Sequence, residues 1–165
     1  MKYIINDTNN WIDLKYVNLL DKVFCLPYKI ACPDILFYEE LAKEEGDILI
    51  ELGLEVLEMS SDEIAEVEIV FDENRNISFN DSTALILAKA RNYLLITGDM
   101  ALRTVADKKK IECKGSLWLI DELVENSVIS LEDAISCCEK LKKSGRRLPK
   151  NELDKRIEKW IKKSV

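Results

Sequence analysis

The sequence contains no histidine, which removes several kinds of catalytic site at once. Ser-His and Cys-His catalysis and histidine-based zinc sites all require the imidazole side chain. The chain also lacks any apolar run close to the roughly 20 residues that span a bilayer, so we expect no membrane partner. Any chemistry must therefore use carboxylates, hydroxyls, lysines or a metal ion.

Cysteines are few and lack a pairing pattern. The five, at positions 25, 32, 113, 137 and 138, are odd in number and form no C-x-x-C pair. Neither a disulfide framework nor a zinc site is indicated. The apolar start of the chain, Ile4-Ile5, is too short for the core of a secretory signal. We therefore expect a cytoplasmic protein in which all the cysteines are free thiols.

Positive charge is scarce in most of the chain and concentrated at its end. Residues 1–135 carry 13 Lys and Arg against 27 Asp and Glu, whereas residues 136–165 carry 11 against 4. The basic tail is either the solvated face of a helix, with Leu153 and Trp160 on the opposite face, or a surface for phosphate or an acidic partner. The sequence leaves both explanations open.

Short apolar runs alternate with amphipathic stretches, and there is no repeat or linker. The runs that read as strands are Tyr3 to Ile5, Tyr28 to Cys32, Leu54 to Leu57, Tyr93 to Thr97 and Ile111 to Lys114. A helix that begins at Asp34 is expected to stop near Gly46. Strands and helices that alternate at this spacing predict a three-layer α/β/α fold with a central parallel sheet and right-handed crossovers.

Four acidic residues follow these strands or lie in the first turns of the next helices: Asp7, Glu40, Asp81 and Asp99. The carboxyl ends of strands in an open parallel sheet meet at one crevice, so the four side chains are expected to converge. Clustered carboxylates repel one another, and bound Mg²⁺ or Mn²⁺ relieves that repulsion through the oxygen ligands these ions prefer. The pattern predicts metal-dependent chemistry on phosphate.

Each of these acids also has an ordinary structural explanation. Asp7 can cap a helix, Asp99 can belong to a turn, and Asp81 fits a capping box with Ser78. Glu40 lies on a helix, where most glutamates are solvated. The order of the acids along successive strands favours one site, because independent caps have no reason to follow each strand in turn.

In this order, four segments resemble the PIN-domain nuclease family, including its VapC-type toxins: Ile4 to Asn9, Phe37 to Leu41, Ile77 to Leu85 and Leu95 to Arg103. The most specific part is Thr97-Gly98-Asp99, followed by Leu102 and Arg103. The tail resembles that of a PIN-like subgroup with an added helical extension. The resemblance thus places a nuclease domain at 1–125 and a C-terminal helical extension at 126–165, packed on the same domain.

The resemblance implies a divalent-metal-dependent endoribonuclease, in its most specific form the toxin of a toxin–antitoxin pair. It implies that Asp7, Glu40, Asp81 and Asp99 are both catalytic residues and ligands of Mg²⁺ or Mn²⁺. Glu40 is preferred to Glu39 because an aliphatic residue follows it. The expected partners are RNA, an antitoxin protein and a second copy of the chain. Supporting hydrogen bonds are expected from Thr8, Asn9 and Thr97, and phosphate contacts from Arg103 and Lys108.

Two other functions remain open at this point. A PIN-like module without catalysis could act by binding protein or RNA, with the acids serving only as caps. A phosphatase of the haloacid-dehalogenase type also begins with an aspartate after its first strand. Its second aspartate, two residues on, is Asn9 in this chain, which disfavours that enzyme.

Overall fold

The computed structural model describes residues 2–165, which contain a five-stranded, fully parallel sheet. Across the sheet the strands follow the order β3-β2-β1-β4-β5, so β1 is central. The strands are β1 (Lys2–Asn6), β2 (Tyr28–Pro33), β3 (Glu55–Leu57), β4 (Leu94–Ile96) and β5 (Cys113–Lys114).

Full burial of the central strands explains their apolar sequences. Ile4 and Ile5 on β1 and Leu95 and Ile96 on β4 have no exposed surface. Strands that are covered on both faces read as continuous apolar runs, without the alternation of a half-exposed strand. In the register of the sheet, Ile5 lies between Ala31 of β2 and Leu95 of β4.

Helices connect the strands, as the alternating pattern predicted. Right-handed crossovers between parallel strands place helices on both faces of the sheet. The three-layer α/β/α class is therefore confirmed. The helices are α1 (Thr8–Tyr16), α2 (Leu20–Val23), α3 (Asp34–Leu36), α4 (Gly46–Leu52), α5 (Ser61–Glu73), α6 (Phe79–Arg91), α7 (Met100–Lys108), α8 (Trp118–Glu125), α9 (Leu131–Lys143) and α10 (Lys150–Ser164).

The helix that begins at Asp34 does not run to Gly46 as expected. After α3 the chain enters a π-helical turn, Phe37–Leu41, and Gly46 begins α4. A Cβ atom at Gly46 would approach the Phe37 ring to 3.0 Å, closer than ordinary van der Waals contact. Close packing, not helix termination, therefore explains this glycine. The C-cap of α4 is Gly53, whose φ of 111° lies in the left-handed region that favours glycine.

The chain forms two compact units. One consists of the residues up to Trp11 together with Pro27–Gly115, and it contains the whole sheet. The other consists of Ile12–Leu26 and Ser116–Val165, which are mainly helical. The predicted division, a nuclease domain at 1–125 and an extension at 126–165, has other bounds than these two units. It stays a prediction.

In the second unit, α9 and α10 pack against each other as a helical hairpin. Leu153 and Trp160 of α10 are buried, in agreement with the amphipathic pattern of the tail. A half-buried ion pair joins Arg156 of α10 to Asp121 of α8, with an N–O distance of 2.7 Å. These contacts tie the hairpin to α8 within the unit.

The cysteines and the polarity of the helices were both the subject of expectations from composition. All five cysteines are free thiols, as predicted from their number and spacing. Within residues 2–165, no helix has the length and apolar character needed to cross a membrane.

A capping test measures how far α9 depends on its own N-terminus. The Ser130 hydroxyl accepts a hydrogen bond of 3.0 Å from the Asp133 N–H, and Asp133 reciprocates at the Ser130 N–H. Ser130→Ala removes this bond and should lower the free energy of unfolding by about 1 kcal/mol. Urea unfolding followed by circular dichroism measures the change.

The matched control is Ser136→Ala, an exposed serine within the same helix. It should be neutral or slightly stabilising, because alanine has the higher helix propensity and no cap is lost. Equal stability of the two variants would contradict the capping role of Ser130.

Candidate active site at the carboxyl edge of the sheet

The strand order changes direction between β1 and β4, and α/β proteins bind ligands in the crevice at such a point. The chain passes from β1 to β2 and β3 on one side, then continues with β4 and β5 on the other. Asp7 directly follows β1, and Thr97, Gly98 and Asp99 follow β4. The topology therefore brings Asp7 and Asp99 to the same edge.

Asp7 is deeply buried for an acid, with 4% of its surface exposed. Its Oδ1 accepts a 2.9 Å hydrogen bond from the backbone N–H of Asn10, so the side chain caps α1. Its Oδ2 accepts a hydrogen bond from the Thr97 hydroxyl. Its own N–H donates to the Ile96 carbonyl at 3.2 Å. The carboxylate is thus held by the start of a helix and by the neighbouring strand.

The surroundings of Asp7 disfavour its charged form. Burial raises the pKa of Asp7 to about 6, while the hydrogen bonds from Thr97 and Asn10 lower it. The charges of Asp81 and Asp99 raise that pKa further, which places both within electrostatic reach. A raised pKa from burial and like charge is typical of functional carboxylates, although structural networks also produce it.

Thr97 links two of the acids through one hydroxyl group. The residue is fully buried, and its Oγ1 accepts a 3.0 Å hydrogen bond from the Asp99 N–H. The same hydroxyl donates to Oδ2 of Asp7. Thr97 therefore fixes the turn after β4 relative to the carboxylate after β1, a geometry consistent with the supporting role predicted for it.

Asp81 and Asp99 each cap a helix as well as lying near Asp7. Oδ2 of Asp81 accepts from the Ser78 N–H at 3.0 Å, within the capping box of α6. Oδ1 of Asp99 accepts from the Leu102 N–H at 2.8 Å, at the start of α7. The other carboxylate oxygen of each aspartate takes no part in these cap bonds.

Glu40 reaches the same edge from the π-helical turn. Its Oε2 accepts from the Thr8 hydroxyl, and its Oε1 accepts from Nδ2 of Asn80 at 2.7 Å. Thr8 follows Asp7 and Asn80 precedes Asp81, so Glu40 lies between two of the other acids. Glu40, not its neighbour Glu39, makes these contacts. π-helical turns occur frequently at functional sites.

Arg103 lies near this edge, on α7. A Cβ atom at Gly115 would be 3.3 Å from Nη1 of Arg103, so the guanidinium packs at the end of β5. Burial raises the pKa of the Cys113 thiol to about 11, while Arg103 lowers it and the charge of Asp7 raises it. Arg103 and Asp7 therefore both lie close to Cys113.

Two other predicted residues, Asn9 and Lys108, take no part in this hydrogen-bond network. Asn9 is exposed on α1, and Lys108 is exposed at the end of α7. Within residues 2–165, neither side chain forms a hydrogen bond or an ion pair with any of the four acids. Their roles in support and in phosphate binding stay predictions.

Sequence reasoning missed two buried asparagines beside Asp7. Asn6 is 0% and Asn10 is 1% exposed, and Nδ2 of Asn10 donates to Oδ1 of Asn6 and to the Ile96 carbonyl, at 2.6 and 3.1 Å. In the part of the chain that the structure describes, Nδ2 of Asn6 and Oδ1 of Asn10 have no partner. The cap spacing predicts only the bond from the Asn10 backbone N–H to Asp7, so no local pattern signals the burial of these two side chains.

The chemistry of the donors at this edge fits a hard divalent cation. Besides the carboxylates there is Oδ1 of Asn80, a buried amide oxygen with no hydrogen-bond partner among residues 2–165. Mg²⁺ and Mn²⁺ prefer such oxygen ligands. As the described side chains stand, however, no three or more of His, Cys, Asp and Glu lie close enough to hold an ion. Binding of one ion by three of the acids therefore requires some of these side chains to move.

The fold and this edge define an α/β protein with an acidic cluster at the switch point of a parallel sheet. Residues 3–162 match a family model described as DUF3368: PIN domain. The chain belongs to the PIN-domain family, as its motifs predicted. PIN domains are generally nucleases, and these nucleases generally use divalent metals. A comparison with curated proteins finds no match.

The raised pKa predicts how Asp7→Asn changes stability with pH. The folded chain holds the Asp7 proton up to pH of about 6, whereas the unfolded chain releases it near 3.8. The stability that Asp7 contributes is therefore present below the lower value and is lost as pH rises through the higher one. In metal-free buffer, Asp7→Asn should stabilise the protein at pH 7.5 by up to about 3 kcal/mol, and should not do so at pH 4.

Urea unfolding at several pH values, with a chelator present, measures this effect. Asp107→Asn is the matched control, because Asp107 is an exposed aspartate on α7 and should show no such gain. A gain for Asp7→Asn that is the same at both pH values would contradict the explanation by burial.

Proposed function

We propose that this chain is a divalent-metal-dependent endoribonuclease that cleaves RNA phosphodiester bonds at the four acids. The observation that carries the proposal is the buried carboxylate of Asp7 at the switch point. Capping alone does not require burial, since Asp133 caps α9 from an exposed position. Burial of a charged carboxylate costs free energy, which a purely structural cap at the surface avoids.

Asp7, Asp81 and Asp99 are the proposed ligands of Mg²⁺ or Mn²⁺, with Glu40 completing the set. The chemistry supplied by the bound ion is acidification of a water molecule and neutralisation of negative charge at the phosphate. Thr97 joins the Asp7 carboxylate to the Asp99 backbone through its hydroxyl, which keeps the turn after β4 beside Asp7. Asn80 offers its amide oxygen as a further donor or as a partner for water.

Glu40 has a separate proposed role, because it is more exposed than Asp7. Hydrogen bonds from Thr8 and Asn80 orient its carboxylate between the neighbouring aspartates. In this position Glu40 orients the attacking water and accepts its proton as the oxygen bonds to phosphorus. The bond between phosphorus and the 3′ oxygen breaks, that oxygen leaves as a hydroxyl by taking a proton from solvent water, and Glu40 returns its proton to solvent.

A more specific form of this proposal is that the nuclease is the toxin of a toxin–antitoxin pair in the cytoplasm. The basis is the resemblance of the acidic motifs to those of VapC-type PIN domains. A small antitoxin-like protein encoded next to this chain would support it. Its absence would favour a solitary nuclease.

A PIN-like module that binds without catalysis is the second candidate. It is favoured by the cap bonds of Asp81 and Asp99, which account for their carboxylates without a metal. Calorimetric titration with Mn²⁺ separates the two candidates. The nuclease requires an exchangeable cation site that Asp99→Asn weakens, whereas caps alone predict no metal binding at this edge.

Cleavage by single variants tests the proposed chemistry. Asp7→Asn retains a side chain that caps as well as aspartate but removes a negative ligand. Mg²⁺- or Mn²⁺-dependent cleavage of labelled single-stranded RNA should fall by about 100-fold or more, as expected when a charge-stabilising group is lost. Circular dichroism should show that the variant is folded.

Asp107→Asn again provides the matched control and should cleave like the unaltered chain. Full cleavage by Asp7→Asn would rule out the proposed role of this carboxylate. If the unaltered chain shows no metal-dependent cleavage of any RNA tried, the binding module becomes the better explanation.

A further inference from the structure

The turn of the α9–α10 hairpin carries an unusual concentration of uncompensated positive charge. The stretch 140–150 holds six Lys and Arg residues and no Asp or Glu. Two of them pair with carboxylates from elsewhere in the same unit, Lys142 with Asp154 and Arg146 with Asp13. The remaining four form no ion pair within residues 2–165, and we call them the turn cluster: Lys140, Lys143, Arg147 and Lys150.

An aromatic ring gathers part of this charge without neutralising it. Nζ of Lys140 lies 5.2 Å from the centre of the Tyr16 ring, and Cζ of Arg146 lies 5.9 Å from it. A ring attracts cations through its quadrupole and carries no net charge. Lys140 therefore keeps its full charge for an anion from solution, and the ion pair with Asp13 holds Arg146 beside it.

Helix stability does not explain the whole cluster. Lys140 and Lys143 lie in the last turn of α9, where the helix dipole favours cations. Arg147 lies in the connecting turn, outside either helix. Lys150 is the first residue of α10, where the helix dipole opposes a cation. Helix dipoles therefore account for Lys140 and Lys143 but not for Arg147 or Lys150.

The charge of the other unit identifies the kind of anion. The unit that contains the sheet carries 11 Lys and Arg against 20 Asp and Glu, so its net charge is −9. Because this unit is negatively charged, it attracts a polyanion such as RNA only weakly. Affinity for nucleic acid depends largely on cations that displace the counterions of phosphates. The turn cluster is one set of uncompensated cations in the helical unit, and its position at a single turn concentrates their charge.

We propose that the turn cluster binds the phosphodiester backbone of single-stranded RNA. This inference rests on the proposed function, since it assigns a second contact surface to the same substrate. Contacts with phosphates carry no base information, so binding at the cluster is independent of sequence. It raises the affinity for long RNA and leaves the chemical step to the acids.

The experiment compares two triple variants of the full chain that lose the same charge. The first is Lys143→Gln, Arg147→Gln and Lys150→Gln, in the turn cluster. The matched control is Lys159→Gln, Lys162→Gln and Lys163→Gln, exposed lysines that form no ion pair within residues 2–165 and lie in the second half of α10. Binding of labelled single-stranded RNA is measured by fluorescence anisotropy over a range of salt concentrations, in chelator, so that no cleavage occurs.

The turn variant should bind about 100-fold more weakly at ~0.1 M salt. Its plot of log affinity against log salt should be shallower by about 2, because each lost phosphate contact removes about 0.7 from the slope. The control should retain most of the affinity and the slope. Equal losses in the two variants, or no loss in either, would overturn the proposal, and the second result would point to an acidic protein as the partner.

Cleavage kinetics distinguish two outcomes: that the turn cluster does not bind RNA, and that the chain is not a nuclease. If both hold, the turn variant raises KM for long RNA and leaves kcat unchanged. Cleavage by the unaltered chain together with unchanged binding by the turn variant refutes only the turn cluster. Selective loss of binding in a chain that cleaves no RNA supports the cluster and refutes the nuclease.

Discussion

The burial of one carboxylate, that of Asp7, constrains this edge of the sheet. A buried charge needs compensating hydrogen bonds, and Asp7 receives one from the start of α1 and one from the turn after β4. These bonds do not offset the full cost, because the pKa of Asp7 stays raised. The free-energy cost of a charged Asp7 is greatest when Asp81 and Asp99 are charged as well. A divalent cation bound here would relieve the repulsion among all three, which connects the electrostatic cost of this edge to the proposed function.

The same side chains serve folding and the proposed chemistry without contradiction. A helix cap needs one carboxylate oxygen, and a metal ligand needs one lone pair, so Asp81 and Asp99 can serve both roles in different rotamers. Without metal, the caps define where α6 and α7 begin. This explains why the described residues contain no ready group of three ligands although their charges act on one another. On this proposal, metal binding needs only rotation of the Asp81 or Asp99 side chain, while the backbone stays in place.

The sequence predicted the features that depend on local pattern, and missed those that depend on contacts between distant segments. Apolar runs predicted the strands, and the order of the acids predicted which side chains share an edge. The expectation that a glycine ends a helix was wrong at Gly46, because this glycine instead allows close packing against Phe37. Asn10 was missed because its partners, Asn6 and the Ile96 carbonyl, come together only when β1 and β4 pair. The choice of Glu40 over Glu39, in contrast, came from the sequence, through the resemblance and the aliphatic residue that follows Glu40.

The division of charge between the two units follows from the demands of such a site. A cluster of acids suits a hard cation but repels the phosphates on which it acts. Neutralisation by the cation is local, whereas the net charge of −9 on the unit with the sheet acts over a Debye length of about 8–10 Å. Cations placed beside the acids would form ion pairs with them and compete with the metal. In the proposed nuclease, uncompensated cations on the helical hairpin would avoid that competition and retain attraction for a long anionic substrate.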